Sequence, residues 1–305
     1  MLLYAVKRLG LALLVAAFVS VVAFLLLRLS GDAAIAIAGE GARDEDIALV
    51  RLTYGLDRPL IVQYADWLLK TLSGDFGQSL YFKTDVAGLI ADKLPVTFYI
   101  GTFSLLFALA LSVPLGVVSA VYAGSWIDRL ALAIAVAGQA LPNFFFALVL
   151  IMLFSITLRW LPVSGSDTWA HFVMPTIALG YYVTPPMMRL VRAGMVEVLG
   201  SDYIRTARAK GLSPASVVFK HGLRNALVPV VALAAVQLGY LLGGSIVIET
   251  IFALDGLGYL AYQSITHKDF PVTQAVLLLL ALIYVLLTLV SDLLNAFLDP
   301  RMRVA

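Results

Sequence analysis

Residues 94–127 read LPVTFYIGTFSLLFALALSVPLGVVSAVYAGSWI, without one Asp, Glu, Lys or Arg between the flanking Lys93 and Asp128. Helices of water-soluble globules keep a polar face, and this run has none. A hydrocarbon core of ~30 Å takes ~20 apolar residues as helix, so the run holds one membrane-spanning helix with turns left over. Five further uncharged runs share its character: residues 9–27, 130–158, 168–188, 225–248 and 270–291. Each has room for one span and none for two, which predicts six transmembrane helices. The composition agrees: of 305 residues 61% are hydrophobic and 13% charged, with a mean hydropathy of +0.96. Soluble domains carry about 25% charged residues. An ordinary cytosolic enzyme is therefore excluded, and so is disorder, which needs low hydrophobicity and high net charge. A formal net charge of +2 gives no argument for nucleic acid. With no cysteine, disulfides, thiolate catalysis and Cys-based metal centres are excluded as well.

The first run follows Lys7 and Arg8. It is too long for a signal-peptide apolar region and lacks a small-residue cleavage site before Arg28, so it reads as a retained helix. Orientation follows from basic residues in the short loops. Lys7, Arg8, Arg129, the basic cluster within 189–224, Arg301 and Arg303 fall on one side, against Arg159 and Lys268 on the other. Both termini are thus expected in the cytoplasm. The expectation is an all-α polytopic membrane protein in three parts: a membrane helix over 1–27, an external helical segment over 28–93, and a five-span core over 94–305.

Within 28–93, Arg43-Asp44-Glu45-Asp46 precedes Ile47, Val50, Leu52 and Leu56 at roughly helical spacing. Asp57-Arg58-Pro59 reads as a turn, and Ile61, Tyr64, Trp67 and Leu68 as a second amphipathic helix ended by Gly74-Asp75-Phe76-Gly77. This is a small helical cap with no catalytic pattern.

Segment 189–224 holds seven basic and two acidic side chains. Ser201 and Asp202 can cap a helix start, Arg208 and Lys210 suit its carbonyl end, and Gly211 suits the residue just past it. That gives a helix of about ten residues. Ser213-Pro214 then restarts a helix through Val217, Val218 and Phe219. A basic loop obeying the positive-inside rule would account for the charge; a short capped helix points further, to docking on a cytoplasmic partner.

Here a resemblance enters. Asp202-Tyr203-Ile204-Arg205-Thr206-Ala207-Arg208-Ala209-Lys210-Gly211-Leu212, with His221-Gly222-Leu223-Arg224-Asn225-Ala226-Leu227-Val228-Pro229, resembles the coupling loop of ABC importer permeases, in their dipeptide/oligopeptide/nickel branch. Against the general pattern E-A-A-x-x-x-G-x9-I-x-L-P, Ala207, Gly211 and Leu223 match. Arg205, Thr206, His221 and Arg224 depart from it in the manner of the peptide branch. Tyr54-Gly55-Leu56-Asp57-Arg58-Pro59, Gly74-Asp75-Phe76-Gly77-Gln78-Ser79, Leu94-Pro95-Val96-Thr97, and Glu249-Thr250-Ile251-Phe252 with Gly256-Leu257-Gly258 agree with that branch, in order along nearly the whole chain.

The resemblance implies a type I ABC importer permease fold in a bacterial inner membrane. It also implies a homologous second permease, two cytoplasmic ATPases, an extracytoplasmic solute-binding protein and a peptide or similar small solute. ATP and Mg²⁺ would sit on the ATPases, since this chain has no G-x-x-x-x-G-K-[ST] loop. No catalytic residue, metal site or bound cofactor is expected on it, and its non-protein partner is membrane lipid.

Polar residues inside spans face protein or a water-filled cavity. Gln139, Asn143, Gln237 and Ser245 are candidates for a translocation path, with Thr97, Thr102 and Ser104 beside them; interhelical hydrogen bonding is the alternative for each. Gly239 and Gly243 form a G-x-x-x-G that allows close packing, either against the partner permease or, as the preferred reading, within the subunit. Pro142, Pro175, Pro185 and Pro186 are expected to kink the third and fourth spans. Glu249, with Asp255, Gly256 and Gly258, reads either as an external gate or binding-protein contact, or as a simple interfacial acid. Scattered His171, His221 and His267 suggest no metal site. A secondary transporter driven by an ion gradient is the rival reading, but no Asp or Glu lies within the six runs and no internal repeat is visible. An intramembrane enzyme would need a catalytic cluster at depth, which the runs lack.

Overall fold

The computed structural model describes residues 2–30, 33–39 and 41–298; Arg301 and Arg303 of the orientation argument lie outside them. Among these residues the chain is helical, with one isolated antiparallel bridge between Gln78 and Asp85.

Helix α1 (Leu2–Ser30) covers the first apolar run. A small cap follows, made of α2 (Ala33–Ala38), α3 (Asp44–Thr53) and α4 (Leu60–Leu72). Asp44, Glu45 and Asp46 fill the first turn of α3 and Arg51 its last, the arrangement its dipole favours. Helix α4 lies on α1: the Phe24 ring meets Tyr64 at 5.5 Å and Trp67 at 5.7 Å, and Ser20 shares a 2.8 Å hydrogen bond with the Tyr64 hydroxyl.

Helix α5 (Val86–Val121) starts within the segment read as external, because the Asp85 carboxylate caps it by accepting from the Gly88 N–H at 2.9 Å. The third expected span is broken. Helix α6 (Trp126–Ala140) and α7 (Asn143–Leu150), continued by a π-helical stretch Ile151–Thr157, bend through 98°. Pro142 at the break supplies no N–H, as anticipated.

Helix α8 (Ala170–Leu199), in contrast, runs unbroken through Pro175, Pro185 and Pro186. The reason is local. Pro185 and Pro186 leave the carbonyls of Tyr181 and Tyr182 without their helical N–H partners. Gln139 Nε2 donates to the Tyr182 carbonyl at 3.2 Å, and Gly138 lies so close to the Tyr181 carbonyl that a Cβ would sit 2.3 Å from it. A neighbouring helix thus satisfies one freed group and covers the other, as membrane helices with internal proline require.

Helix α9 (Asp202–Ala209) follows, then a π-helical stretch Ser216–Leu223, α10 (Arg224–Ala226) and α11 (Val228–Gly244), the last two meeting at a 52° bend. The chain closes with α12 (Ile246–Ile251), α13 (Leu257–Thr266) and α14 (Phe270–Leu298). By length and composition α1, α5 and α14 can each cross a membrane, and each of the two bent pairs can do so as a broken span. Helix α8 is the sixth candidate. It is 30 residues long but too mixed in composition to qualify by hydropathy, because it is the helix the others surround: Met174, Leu179, Val183, Met187, Val191 and Met195 are buried. These elements accommodate the six expected spans.

Helices α5 and α8 cross at backbone distance. A Cβ on Gly180 would lie 2.4 Å from the Ser104 carbonyl, and one on Gly116 2.7 Å from Val191. Of the G-x-x-x-G pair, Gly239 packs on Tyr284 of α14, within the subunit, while Gly243 faces open space.

Contacts sort the helix ends into two groups. Val86 and Ile90 at the start of α5 cluster with Leu257 and Leu260 of α13 and Val272 and Val276 of α14, beside the cap. At the other end of the bundle, the ends of α5 and α8 meet the starts of α6 and α11, next to α9.

Candidate functional site

Helix α9 has two faces. Ile204 is fully buried and Ala207 nearly so, packed with Val198 and Leu199 from the end of α8 and Val217 from the following π-helical stretch. Tyr203, Arg205, Thr206, Arg208, Lys210 and Leu212 are exposed. Its C-terminus is a Schellman motif: Leu212 N–H donates to the Ala207 carbonyl at 3.3 Å and Gly211 N–H to Arg208 at 2.9 Å, with Gly211 at φ +77°. Left-handed backbone is why glycine belongs there.

At the N-terminus the expectation needs correcting. Ser201 occupies the capping position, but its hydroxyl donates to the Val198 carbonyl at 2.6 Å, and Asp202 is the first helical residue, paired with Arg205 at 3.1 Å. The helix has eight residues, not ten, since the turn at Lys210–Leu212 closes it. Ser213 does cap the next helix, accepting from the Ser216 N–H at 3.3 Å. Tyr203 is steadied by Asn225, whose Nδ2 donates to its hydroxyl at 2.9 Å. The outcome is a short rigid rod, anchored by its apolar side and presenting an aromatic and basic surface.

Behind this rod lies a contact that sequence reading missed. Asp128, at the start of α6, is buried and accepts from Arg192 Nε at 2.9 Å and Nη2 at 2.7 Å, from the Gly124 N–H at 2.9 Å, and from the Ser119 hydroxyl. The bidentate pair ties α5 and α6 to the stretch of α8 that leads into α9. Its partners are 64 residues apart, and no local pattern marks them.

At the cap end, Glu249 is fully buried. Its carboxylate accepts from Thr97 Oγ1 at 2.9 Å, Ser245 Oγ at 2.7 Å, and the Gly258 and Tyr259 N–H groups at 2.7 and 3.1 Å. Thr97 Oγ1 in turn accepts from the Leu257 N–H at 2.8 Å. The first three N–H groups of α13 are therefore all engaged, and the helix dipole favours the carboxylate. Both glycines are needed for the approach: a Cβ on Gly256 would lie 2.4 Å from Glu249 Oε2, and one on Gly258 2.7 Å from the Ile246 backbone. A simple interfacial acid does not describe this buried carboxylate; it is a tether joining α5, α12 and α13. Asp255 is exposed and pairs with Lys93 at 2.5 Å.

Of the path candidates, Ser245 belongs to that tether, and Gln139 is exposed with its amide on the Tyr182 carbonyl. Asn143 and Gln237 are half-buried. Thr97 serves Glu249, while the buried Ser104 hydroxyl has no partner. Among the described residues no three His, Asp or Glu side chains converge as metal ligands. His171 engages Thr168, and His267 stacks on Tyr81 at 3.7 Å. A second buried acid that sequence reading missed, Asp269, accepts from Ser79 Oγ at 2.5 Å and from the Leu80 and Tyr81 N–H groups, holding the cap to the start of α14.

Comparison with known proteins fits this geometry. The sequence model described as binding-protein-dependent transport system inner membrane component matches residues 112–304, and the N-terminal membrane component of such systems matches residues 1–101. The glutathione transport system permease protein GsiC of Escherichia coli strain K12 is 44% identical over 305 residues, covering 99% of each chain. Its counterpart in Salmonella typhimurium is 42% identical over 304 residues, again across 99% of each. Among solved structures, the inward-facing MetNI methionine ABC transporter aligns with a TM-score of 0.57 at 23% identity, over 69% of this chain and 96% of that one. An amino acid ABC transporter gives 0.50 at 16% identity.

Proposed function

The chain belongs to the binding-protein-dependent transport system inner membrane component family, and from that premise we propose how this permease of an ABC importer works. It forms half of a translocation path for small peptides, a class suggested by the glutathione permeases it is similar to. A homologous permease supplies the other half, two cytoplasmic ATPases bind and hydrolyse ATP with Mg²⁺, and an extracytoplasmic binding protein delivers the solute. Gln139, Asn143 and Gln237 are the polar residues assigned to the path wall; Ser245 is not, because its hydroxyl is engaged by Glu249. At the cap end the 28–93 segment and exposed Asp255 face the binding protein.

The observation that carries this reading is the two-faced rod α9. Its buried Ile204 and Ala207 make it move with α8, while Tyr203, Arg205, Arg208, Lys210 and Leu212 are free to seat in an ATPase groove. Closure of the ATPases can bias the permease only through contacts that differ between its two states. A rod fixed to the central helix transmits such a bias where a floppy loop would absorb it.

Gly211→Val tests this. Left-handed backbone costs a β-branched residue about 1–3 kcal/mol, and nothing lies within 4 Å of a Cβ there, so the damage is confined to the helix end. Peptide uptake should fall at least tenfold in membranes that contain normal amounts of the protein. Uptake at the wild-type rate, with the variant correctly inserted, would remove α9 from the mechanism.

A further inference from the structure

At the cap end, a cleft of about 390 Å³ opens between the cap and the adjoining ends of α1 and α14. Arg28, Gln63, Trp67, Phe76, Phe270 and Gln274 are among its walls. Arg28 stacks on Phe24, with its guanidinium carbon 5.0 Å from the ring centroid, and makes no hydrogen bond or ion pair with any described residue. Its Nε is shut off from solvent without a partner, and so are Gln274 Nε2 and Gln63 Oε1. Gln63 is only 7% exposed, and its Nε2 is already engaged by the Leu56 and Arg58 carbonyls. The remaining charges in the walls are otherwise occupied or outward: Arg58 pairs with Asp66 at 2.8 Å, Asp75 accepts from the Gly77 N–H at 2.9 Å, and Lys70 is exposed.

A half-buried guanidinium with no anion among the described residues is expensive, and this one lies over an aromatic ring with its Nε closed to solvent. We propose that the cleft binds the phosphodiester headgroup of a membrane phospholipid, with Arg28 and the Gln274 amide donating to phosphate oxygens and Gln63 Oε1 accepting from a headgroup N–H or O–H. Three observations select a lipid over a free anion. Arg28 closes the apolar run of α1 and Phe270 opens that of α14, which puts the cleft where chains leave hydrocarbon for water. Trp67, Phe76 and Phe270 give it the aromatic lining found at that depth. These apolar walls offer a fully hydrated ion nothing in exchange for its water, whereas they suit a glycerol backbone and the tops of acyl chains.

The test uses the whole transporter, purified with its partner subunits, stripped of lipid and titrated with phosphatidylethanolamine or phosphatidylglycerol under native mass spectrometry. One phospholipid per copy of this chain should bind tightly. The double substitution Arg28→Met with Gln274→Leu should weaken it at least tenfold, and Arg28→Lys, which keeps the charge, by less than threefold. Millimolar inorganic phosphate, glycerol 3-phosphate or glutathione should not displace it. Equal lipid retention by the double variant overturns the proposal, as does displacement by phosphate or by the peptide, which would mark a free-anion or solute site. No tightly held lipid on the wild-type complex also overturns it. Because the readout is lipid mass, its failure would leave the transport reading untouched.

Discussion

Glu249 shows how much one side chain can organise when four donors converge on it. The carboxylate joins three helices at a point where the chain turns twice within a dozen residues, and it is fully buried. Glu249→Gln keeps one carbonyl oxygen and the shape, so it should lower stability by about 1–2 kcal/mol. Glu249→Ala leaves the donors facing nothing and should lower it by at least about 3 kcal/mol. Gly256→Ala pushes a methyl group into the same carboxylate. Its effect should shrink in the Glu249→Ala background, because the first substitution removes the atom the second collides with. Thermal unfolding of the detergent-solubilised protein, monitored by size-exclusion chromatography, checks the order and the non-additivity. In the sequence, Glu249 and the Gly256-x-Gly258 pair stand out as a group, but their geometry does not. An acid at the end of an apolar run looks like a surface residue until Thr97, from a helix 152 positions away, is seen to close the cage over it.

At the level of single helices, the broken α6–α7 pair and the unbroken α8 explain each other. The absence of charge locates both helical stretches, since it depends only on local composition. Which proline breaks its helix depends on whether a neighbour takes up the freed carbonyl, and no local window contains that neighbour. Gln139→Leu strips the Tyr182 carbonyl of its donor and should lower stability by about 1–2 kcal/mol. Pro186→Ala restores a backbone N–H for that same carbonyl. The pair should therefore be non-additive, with Pro186→Ala recovering most of the loss in the Gln139→Leu background and changing little alone. Unfolding midpoints of the four proteins in this cycle measure the coupling, and strict additivity would show that Gln139 does not serve Tyr182. The glycine-terminated α9 was legible for the opposite reason: its signals lie within a few residues of one another. Only the capping bond at its start differs: Ser201 stands at the capping position, but its hydroxyl has a nearer acceptor in the preceding turn.

Across the whole molecule, α9 and the cap sit at opposite ends of a bundle threaded by α8, and the Asp128–Arg192 pair fastens the α9 end. The two partners differ in burial, 5% exposure for Asp128 against 31% for Arg192, so removing either should not be equivalent. Arg192→Met strands a buried carboxylate and should lower stability by about 3–5 kcal/mol. Asp128→Asn leaves a guanidinium that can reach water and should do less damage. Thermal unfolding of both variants tests the asymmetry; equal losses would mean the pair is not the fastening it resembles. The uncharged runs locate the helices of the bundle but not how they pair, because contacts of this range are set by packing. The longest of these contacts has a bearing on how the protein is made. Helix α1 packs chiefly on α14, and Arg8 meets Asp292 at 2.8 Å across 284 positions. At 5–20 residues per second, translation delivers the second partner roughly 15–60 s after the first. Through that interval α1 waits in lipid without α14, and Arg8 still lacks its acid. A ribosome that stalls before α14 therefore leaves an unmated helix in the bilayer, a mark by which an unfinished copy differs from a finished one.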